Sequence, residues 1–567
     1  MACKKSPRAA AFLTFIALGA GACCAGASAW IRVSSPHIEV VTDAQEKTGR
    51  DLLAYFETIR AVFNQAGIAD SPLPVRAFAF ASENEFRAFT DEKNTNGFYH
   101  GGERDYIALY AGPNARRAAL HEYVHSVLNH SKISLPKWFE EGTAEFYSNL
   151  EIAGKHLQVG GRIDSHLAVL EKQPWLSGGQ LAAVKPDGVI YYSECWALVH
   201  MLNLAPLWRP GMPSFILSLA DGRPADEAFR ESFGKTLDDA LSVLPAYLPS
   251  IRPVSLSIDL TQSSDAPRVD RMTPVEAALD RAGLALEVHR PALARSLVME
   301  AVRGRKESPE TAAALGALAM AEGHNAEARK QLERAIELGS RDAETWFQYA
   351  MLERDSGSPG PRVDELLAKV IAIDPDFAEA QFLLGEHQSE NADYSAAIGH
   401  LREALRVRPR VSNYWYALGF AQSKSGRPED LHEAIESARR AKMNAHTDRD
   451  EQMADSLIAL AREPAPAKLE KARKGPDVIT PPSWQEPRGD ARVEGVLARV
   501  DCESDFARLQ VTDAAGKTIA LTVHHPDQVR LVNAPGVDHV FSCGPQALPV
   551  AIEFVRTSSE VTRIEFR

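Results

Sequence analysis

His121-Glu122-Tyr123-Val124-His125, followed by Trp138-Phe139-Glu140-Glu141-Gly142-Thr143-Ala144-Glu145, decides how the first half of this chain is read. Histidines at i and i+4 project from one face of a helix, because four residues is slightly more than one turn. Two imidazole nitrogens can then reach one tetrahedral Zn²⁺, with Glu122 beside them as a carboxylate base. A third ligand must come from elsewhere, and Glu141 is a candidate. Fifteen residues separate it from His125, enough for one helix to end, turn and return as another. Ala118, Leu120, Val124, Val127 and Leu128 recur at helical spacing around the histidines, as expected of a helix packed on one side. Gly112-Pro113-Asn114 supplies a helix start with Asn114 as cap. Pro136 opens the second helix, which carries Glu141 and Glu145 on one face.

Paired in this way, HEYVH and WFEEGTAEF resemble the gluzincin metallopeptidases, the group that includes thermolysin and the zinc aminopeptidases. The resemblance implies that the Glu before the Gly in W-x-x-E-G-x-A is the third zinc ligand, hence Glu141 rather than Glu140. Glu140 then reads as a solvated carboxylate near the helix start. The resemblance also gives Glu145 the task of holding a zinc-bound histidine by a hydrogen bond, a partner that such histidines generally need. Downstream, Tyr191-Tyr192-Ser193-Glu194-Cys195-Trp196-Ala197-Leu198 is similar to the aminopeptidase segment Y-x-x-G-x-A-L. Aligning Ala-Leu implies that the Tyr192 hydroxyl stabilises a tetrahedral intermediate. Cys195 stands where that segment has Gly, and no G-x-M-E-N element precedes the histidines. Grip on a free amino terminus is therefore not implied. What the resemblance implies is one Zn²⁺ per chain, lowering a water's pKa towards about 7, with Glu122 as general base.

At 567 residues the chain is long enough for several domains. Lys4, Lys5 and Arg8, the apolar stretch Ala9 to Ala22, and Ala27-Ser28-Ala29 ahead of Trp30 read as a secretory leader over 1–29. The apolar stretch is too short to span a bilayer, which needs about 20 residues. An exported protein, periplasmic or secreted, is expected, with no transmembrane segment. Lipidation at Cys23 or Cys24 is the minority alternative, since Ala20-Gly21-Ala22 lacks the usual Leu of a lipobox. The net charge is −13 with no basic block, which argues against nucleic acid as a partner. Of six cysteines, three lie in the leader. In an oxidising compartment Cys502 and Cys543 are the expected disulfide pair, leaving Cys195 as a lone buried thiol.

Over 30–250, Ile38-Glu39-Val40-Val41 and Val75-Arg76-Ala77-Phe78-Ala79-Phe80 read as strands around an amphipathic helix containing Leu52, Leu53, Phe56, Ile59, Val62 and Phe63. Phe98 to Ala111 reads as a hairpin, and the resemblance implies that an edge strand there lines the cleft. Residues 251–272 read as a linker. From 273 to 460 the chain repeats: Gly316, Ala350, Gly385 and Gly419 recur at steps of 34, 35 and 34, as do Ala301, Ala335, Val370, Ala404 and Ala438 at 34, 35, 34 and 34. That pattern resembles tetratricopeptide repeats, about five of them, which implies a superhelix with a groove for a protein partner. Trp346, Tyr349, Tyr414, Trp415 and Arg439 are candidate groove residues. A proline-rich linker follows at 461–490. Short alternating runs over 491–567, from Val493 to Val500 through Val540 to Cys543 to Val550 to Val555, imply a small β unit. The expected fold class is multidomain: an α+β gluzincin-like metallopeptidase domain, an α-helical tetratricopeptide solenoid, and a small all-β C-terminal barrel or sandwich. The expected function is an exported zinc-dependent peptidase acting on a peptide or protein substrate. The competing expectation is an envelope scaffold that works through its repeats.

Overall fold

The computed structural model describes residues 29–566 apart from 66–73, 93–94, 132, 154–155, 184–187, 258–265, 446, 463–489, 503–505, 514, 525–528 and 533–543. The leader with Cys23 and Cys24, most of the proline-rich stretch, the strand expected at Val540 to Cys543, and the side chains of Cys502 and Cys543 lie outside the described residues. Among the described residues no helix is long and apolar enough to cross a membrane.

Strands β1 (Ile31–Ser34), β2 (Ile38–Thr42), β3 (Val75–Phe80), β4 (Gly97–Gly101) and β5 (Asp105–Tyr110) belong to one mixed sheet. The helices between and after them are α1 (Glu46–Gln65), α2 (Glu83–Arg87), α3 (Ala115–Asn129) and α4 (Lys137–Ser148). Next come β6 (Glu151–Ala153), β7 (His156–Val159), α5 (Asp164–Lys172), α6 (Gly178–Leu181), α7 (Gly188–Leu204), α8 (Met212–Ala220), α9 (Ala225–Phe233), α10 (Leu237–Tyr247), β8 (Val254–Ser257) and β9 (Arg268–Arg271). The first sheet runs β4-β5-β3-β2-β1-β9, and β6-β7-β8 make a second, small one. The β2–β3 and β3–β5 pairs are parallel, so each needs a crossover between its strands; α1 supplies the first.

Residues 251–272 are not the linker expected of them. β8 pairs with β7, and β9 pairs with β1 from Ile31↔Arg271 to Ser34↔Arg268. Arg268-Val269-Asp270-Arg271 is a partly exposed sheet edge. This strand is charged and short, so no apolar alternation marks it in the sequence.

Central strand β3 is buried on both faces. One face presents Ala77 and Ala79 with Val33, Val40, Ile107 and Leu109 to α1 and α3. The other presents Phe78 and Phe80 with Val41 and Ala108, and its cover comes from Trp30, Phe86 and Phe89 together with the first helices of the repeat array. Those are α11 (Pro274–Glu287) and α12 (Pro291–Val302), through Ala277, Leu284, Ala294 and Val298. The array continues as α13 (Pro309–Ala321), α14 (Asn325–Glu337), α15 (Ala343–Asp355), α16 (Gly360–Ile373), α17 (Ala378–Glu390), α18 (Tyr394–Val407), α19 (Ser412–Lys424), α20 (Pro428–Met443) and α21 (Asp448–Arg462). Five consecutive helix pairs and a closing helix make up this solenoid. The recurrent small residues sit where paired helices touch: a Cβ on Gly316 would lie 2.6 Å from Leu332 Cγ, and one on Gly385 would lie 2.8 Å from Leu401 Cγ. Ala301, Ala335, Val370, Ala404 and Ala438 are all fully buried.

The C-terminal unit contains β10 (Ala491–Cys502), β11 (Ala507–Asp513), β12 (Thr518–Val523), β13 (Arg530–Val532), β14 (Gly544–Val555) and β15 (Glu560–Phe566). Its sheet runs β12-β11-β10-β14-β15-β13 and closes through a parallel β12–β15 contact at Thr522↔Glu560, giving a barrel. Leu497, Val500, Leu509, Val511, Leu521, Ile552 and Ile564 fill it, a core separate from the others.

Candidate metal centre

The turn after α3 ends at Pro136, whose backbone (φ −65°, ψ 144°) sets the start of α4. Trp138 and Phe139 then anchor α4 against Phe215. One turn along, Gly142 lets α7 pack directly on α4: a Cβ there would lie 2.4 Å from the Cys195 carbonyl oxygen. Asn114 occupies the N-cap of α3 as expected, although its side chain makes no capping bond.

This packing brings His121, His125 and Glu141 together, the one His/Cys/Asp/Glu group among the described residues arranged to hold a metal ion. His121 Nε2 and His125 Nε2 are 3.2 Å apart, and Glu141 Oε2 lies 3.5 Å and 3.4 Å from them. Ligands about 2.0–2.1 Å from a tetrahedral Zn²⁺ stand about 3.3–3.4 Å from one another. The donor set therefore fits zinc in both chemistry and spacing. Glu141 Oε1 points the other way, 3.0 Å from Lys137 Nζ.

The local field favours a cation here. Burial alone would push the His121 imidazole down, but the Glu141 hydrogen bond and the Glu145 and Glu122 charges raise it to about 9. Glu141 is held well below the usual carboxylate range by His121 and His125, against the effect of its burial. Glu122 is pushed up by its enclosed position, which outweighs the two histidines. It lies on the wall of the cleft beside β4, where a Cβ on Gly97 would stand 3.3 Å from Glu122 Cγ.

Glu145 lies behind His121, with Oε1 3.5 Å from Nδ1. Its other oxygen meets Arg117 Nη2 at 2.6 Å and Ser148 Oγ at 3.3 Å. Tyr192 borders the cleft, whereas Tyr191 is buried in the core. Burial pushes the Tyr192 phenol up, and the charges of Glu141, Glu92, Glu122 and Glu145 add to this, so it stays protonated. Cys195 is a free, buried thiol.

Sequence reasoning missed the far wall of the cleft. A cavity of about 1220 Å³ lies over the histidines, bounded by Gly97, Phe98 and Tyr99 of edge strand β4 and by Arg408 to Asn413 of the array. Arg410 Nη1 is 2.8 Å from Glu140 Oε1, so Glu140 is paired rather than solvated. Arg408 Nη1 reaches Glu103 Oε1 at 3.1 Å. His130, just past α3, is 3.0 Å from the Val407 carbonyl and 2.9 Å from Asp105 Oδ2. Asp105 also accepts from Ser126 Oγ at 2.5 Å and Tyr99 OH at 2.9 Å. Tyr414, a candidate groove residue, is buried at this seam: it stacks on Phe382 and donates to Glu379 at 2.6 Å. The indoles of Trp346 and Trp415 donate to backbone carbonyls within the array, Tyr349 donates to Glu333, and Arg439 is exposed.

No family model matches the chain. A 66-residue stretch, 11% of the chain, is 38% identical to anaphase-promoting complex subunit 3 of Schizosaccharomyces pombe (strain 972 / ATCC 24843). That match spans about a tenth of the relative's length, 10%. Among solved structures, MamA is 16% identical with a TM-score of 0.25, covering 34% of this chain and 98% of its own. YrrB, described as a TPR protein with an unusual peptide-binding site, is 14% identical with a TM-score of 0.26, covering 32% and 91%.

Proposed function

We propose that the chain is an exported, periplasmic or secreted, zinc-dependent peptidase whose cleft is shared between a gluzincin-like domain and the repeats. The observation that carries this reading is the triangle of His121 Nε2, His125 Nε2 and Glu141 Oε2, with sides of 3.2, 3.4 and 3.5 Å. Zn²⁺ held there supplies Lewis acidity to a peptide carbonyl and to a nearby water. Glu122 takes the water's proton and delivers it to the leaving amine. Tyr192 donates its phenolic proton as a hydrogen bond to the developing oxyanion. An extended peptide segment pairs with the outer edge of β4, opposite Arg408 to Asn413.

The test is to purify the mature chain, measure bound metal, and screen a diverse peptide library with and without a chelator. One zinc per chain and chelator-sensitive cleavage are expected. A metal-free chain that takes up no zinc refutes the reading. The second reading is a protein-interaction scaffold, and the relatives of the repeats support that one. It is separated from the first by Glu122→Gln, which leaves a scaffold's partner binding and biological role intact and removes a peptidase's.

A further inference from the structure

Behind the histidines, a chain of hydrogen bonds runs through four helices. We propose that Ser193, His166 and Arg117 form a relay that fixes Glu145, and through Glu145 the ring of His121. His166 is then a positioning residue for the metal centre. The inference rests on the zinc reading above and concerns residues which that reading does not use.

The proton positions follow from counting donors. Ser193 Oγ has one proton, and the Val189 carbonyl lies 2.8 Å from it in the i−4 position. With that proton committed, the His166 Nδ1 contact at 2.9 Å requires the ring to donate. His166 therefore carries its proton on Nδ1. Its Nε2 lies 2.9 Å from Arg117 Nη2, which can only donate, so Nε2 accepts through its lone pair. A second ring proton would oppose an Arg117 N–H at that distance. Nε2 is also 3.2 Å from Glu145 Oε2, but two acceptors face each other there. Arg117 Nη2 bridges them, with its second proton directed to Glu145 at 2.6 Å.

Fixed in this way, Glu145 has Oε2 bonded by Arg117, while Ser148 Oγ donates to the Glu145 carbonyl at 2.8 Å, and Oε1 faces His121 Nδ1 at 3.5 Å. A His121 that ligates metal through Nε2 would keep its proton on Nδ1, the nitrogen that faces Glu145. The relay also joins separate elements. Arg117 precedes His121 by one turn of α3, Glu145 is on α4, His166 on α5 and Ser193 on α7 beside Tyr192. His166 is 5% exposed and lies on the wall of the cleft.

The experiment measures zinc affinity of the metal-free full chain by competition with a chromophoric chelator, together with its urea midpoint. Partners of a ligating histidine typically change metal affinity by about 10–100-fold. His166→Ala should weaken zinc binding within that range. His166→Gln, whose amide oxygen can stand where Nε2 accepts from Arg117, should recover most of it. Ser193→Ala, which removes only the far end and leaves the fold least disturbed, should give a smaller loss in the same direction. Equal affinity in all three variants overturns the inference while leaving the zinc reading standing. Loss in His166→Ala and His166→Gln alike, tracking their midpoints, also overturns it by showing a purely structural role. A wild-type chain that binds no zinc refutes the zinc reading itself, and the relay with it.

Discussion

His130→Ala tests how the array is held to the domain that carries His121, His125 and Glu141. Both ring nitrogens of His130 face acceptors, the Val407 carbonyl at 3.0 Å and Asp105 Oδ2 at 2.9 Å. A neutral imidazole can donate to only one of them, so the doubly bonded ring is the imidazolium. Burial alone would lower its pKa; the hydrogen bond and charge of Asp105 and the Val407 carbonyl outweigh burial and Arg408 and raise it. Both members of the pair are at most 6% exposed. Breaking one side of such a buried pair costs about 3–5 kcal/mol. The sign with pH follows from the raised value. The stabilisation is complete below the ordinary histidine pKa of about 6.5 and is lost as pH rises through the higher folded value. Urea unfolding of wild type and variant at pH 5.5 and pH 9 should therefore show a large stability gap at the lower pH and a smaller one at the higher. Taking the difference removes contributions from the other histidines. A gap under about 1 kcal/mol at pH 5.5, or one that does not shrink with pH, would refute the imidazolium bridge.

Glu141→Ala should strip zinc from the purified chain, whereas Glu122→Gln should keep it and lose turnover by about 10²–10⁴-fold; zinc content and peptide hydrolysis distinguish the two. Tyr192→Phe should lower kcat with little change in KM, as expected of a group that meets only the oxyanion, and steady-state kinetics on one cleaved peptide reads this directly. Gly142→Ala should force α4 and α7 apart, because its Cβ would stand 2.4 Å from a backbone oxygen; the expected loss is about 1–3 kcal/mol in urea unfolding, together with weaker zinc binding. Deleting 273–460 should lower the solubility of the N-terminal domain, since the face of Phe78 and Phe80 loses the part of its cover given by α11 and α12, and an equally soluble product would contradict that packing.

The metal triangle was legible in the sequence because its determinants are local. His121 and His125 share a helical face, and Gly142, adjacent to Glu141, marks the close helix contact that brings α4 under α7. Arg117 could have been found by the same logic, four residues before His121. His166 could not, because α5 holds a single histidine with no spacing to relate it to the others. Repeat period and small-residue positions gave the solenoid, since every turn of it obeys one packing rule. The docking of that solenoid was invisible: Arg410 and Glu140 are 270 residues apart, and their pairing depends on how far five helix pairs curve. For the same reason Glu140 reads as solvated although Arg410 pairs with it, while Tyr414 reads as a groove residue although it is buried on Phe382 and Glu379 of its own array. The strand at 268–271 carries too few apolar residues to announce itself, whereas Val254-Ser255-Leu256-Ser257 alternates and was readable.

The sheet that is clad on both faces sets an order of events during synthesis. Every metal ligand has left the ribosome by residue 145, yet β1 waits for β9, and the second face of β3 waits for α11 and α12. The far wall of the cleft arrives later still, with Arg408 to Asn413. A nascent chain thus holds its ligands long before it holds a closed cleft. Whatever the cleft does, it starts only once roughly the first four hundred residues have emerged, a delay of tens of seconds at ordinary elongation rates of about 5–20 residues per second.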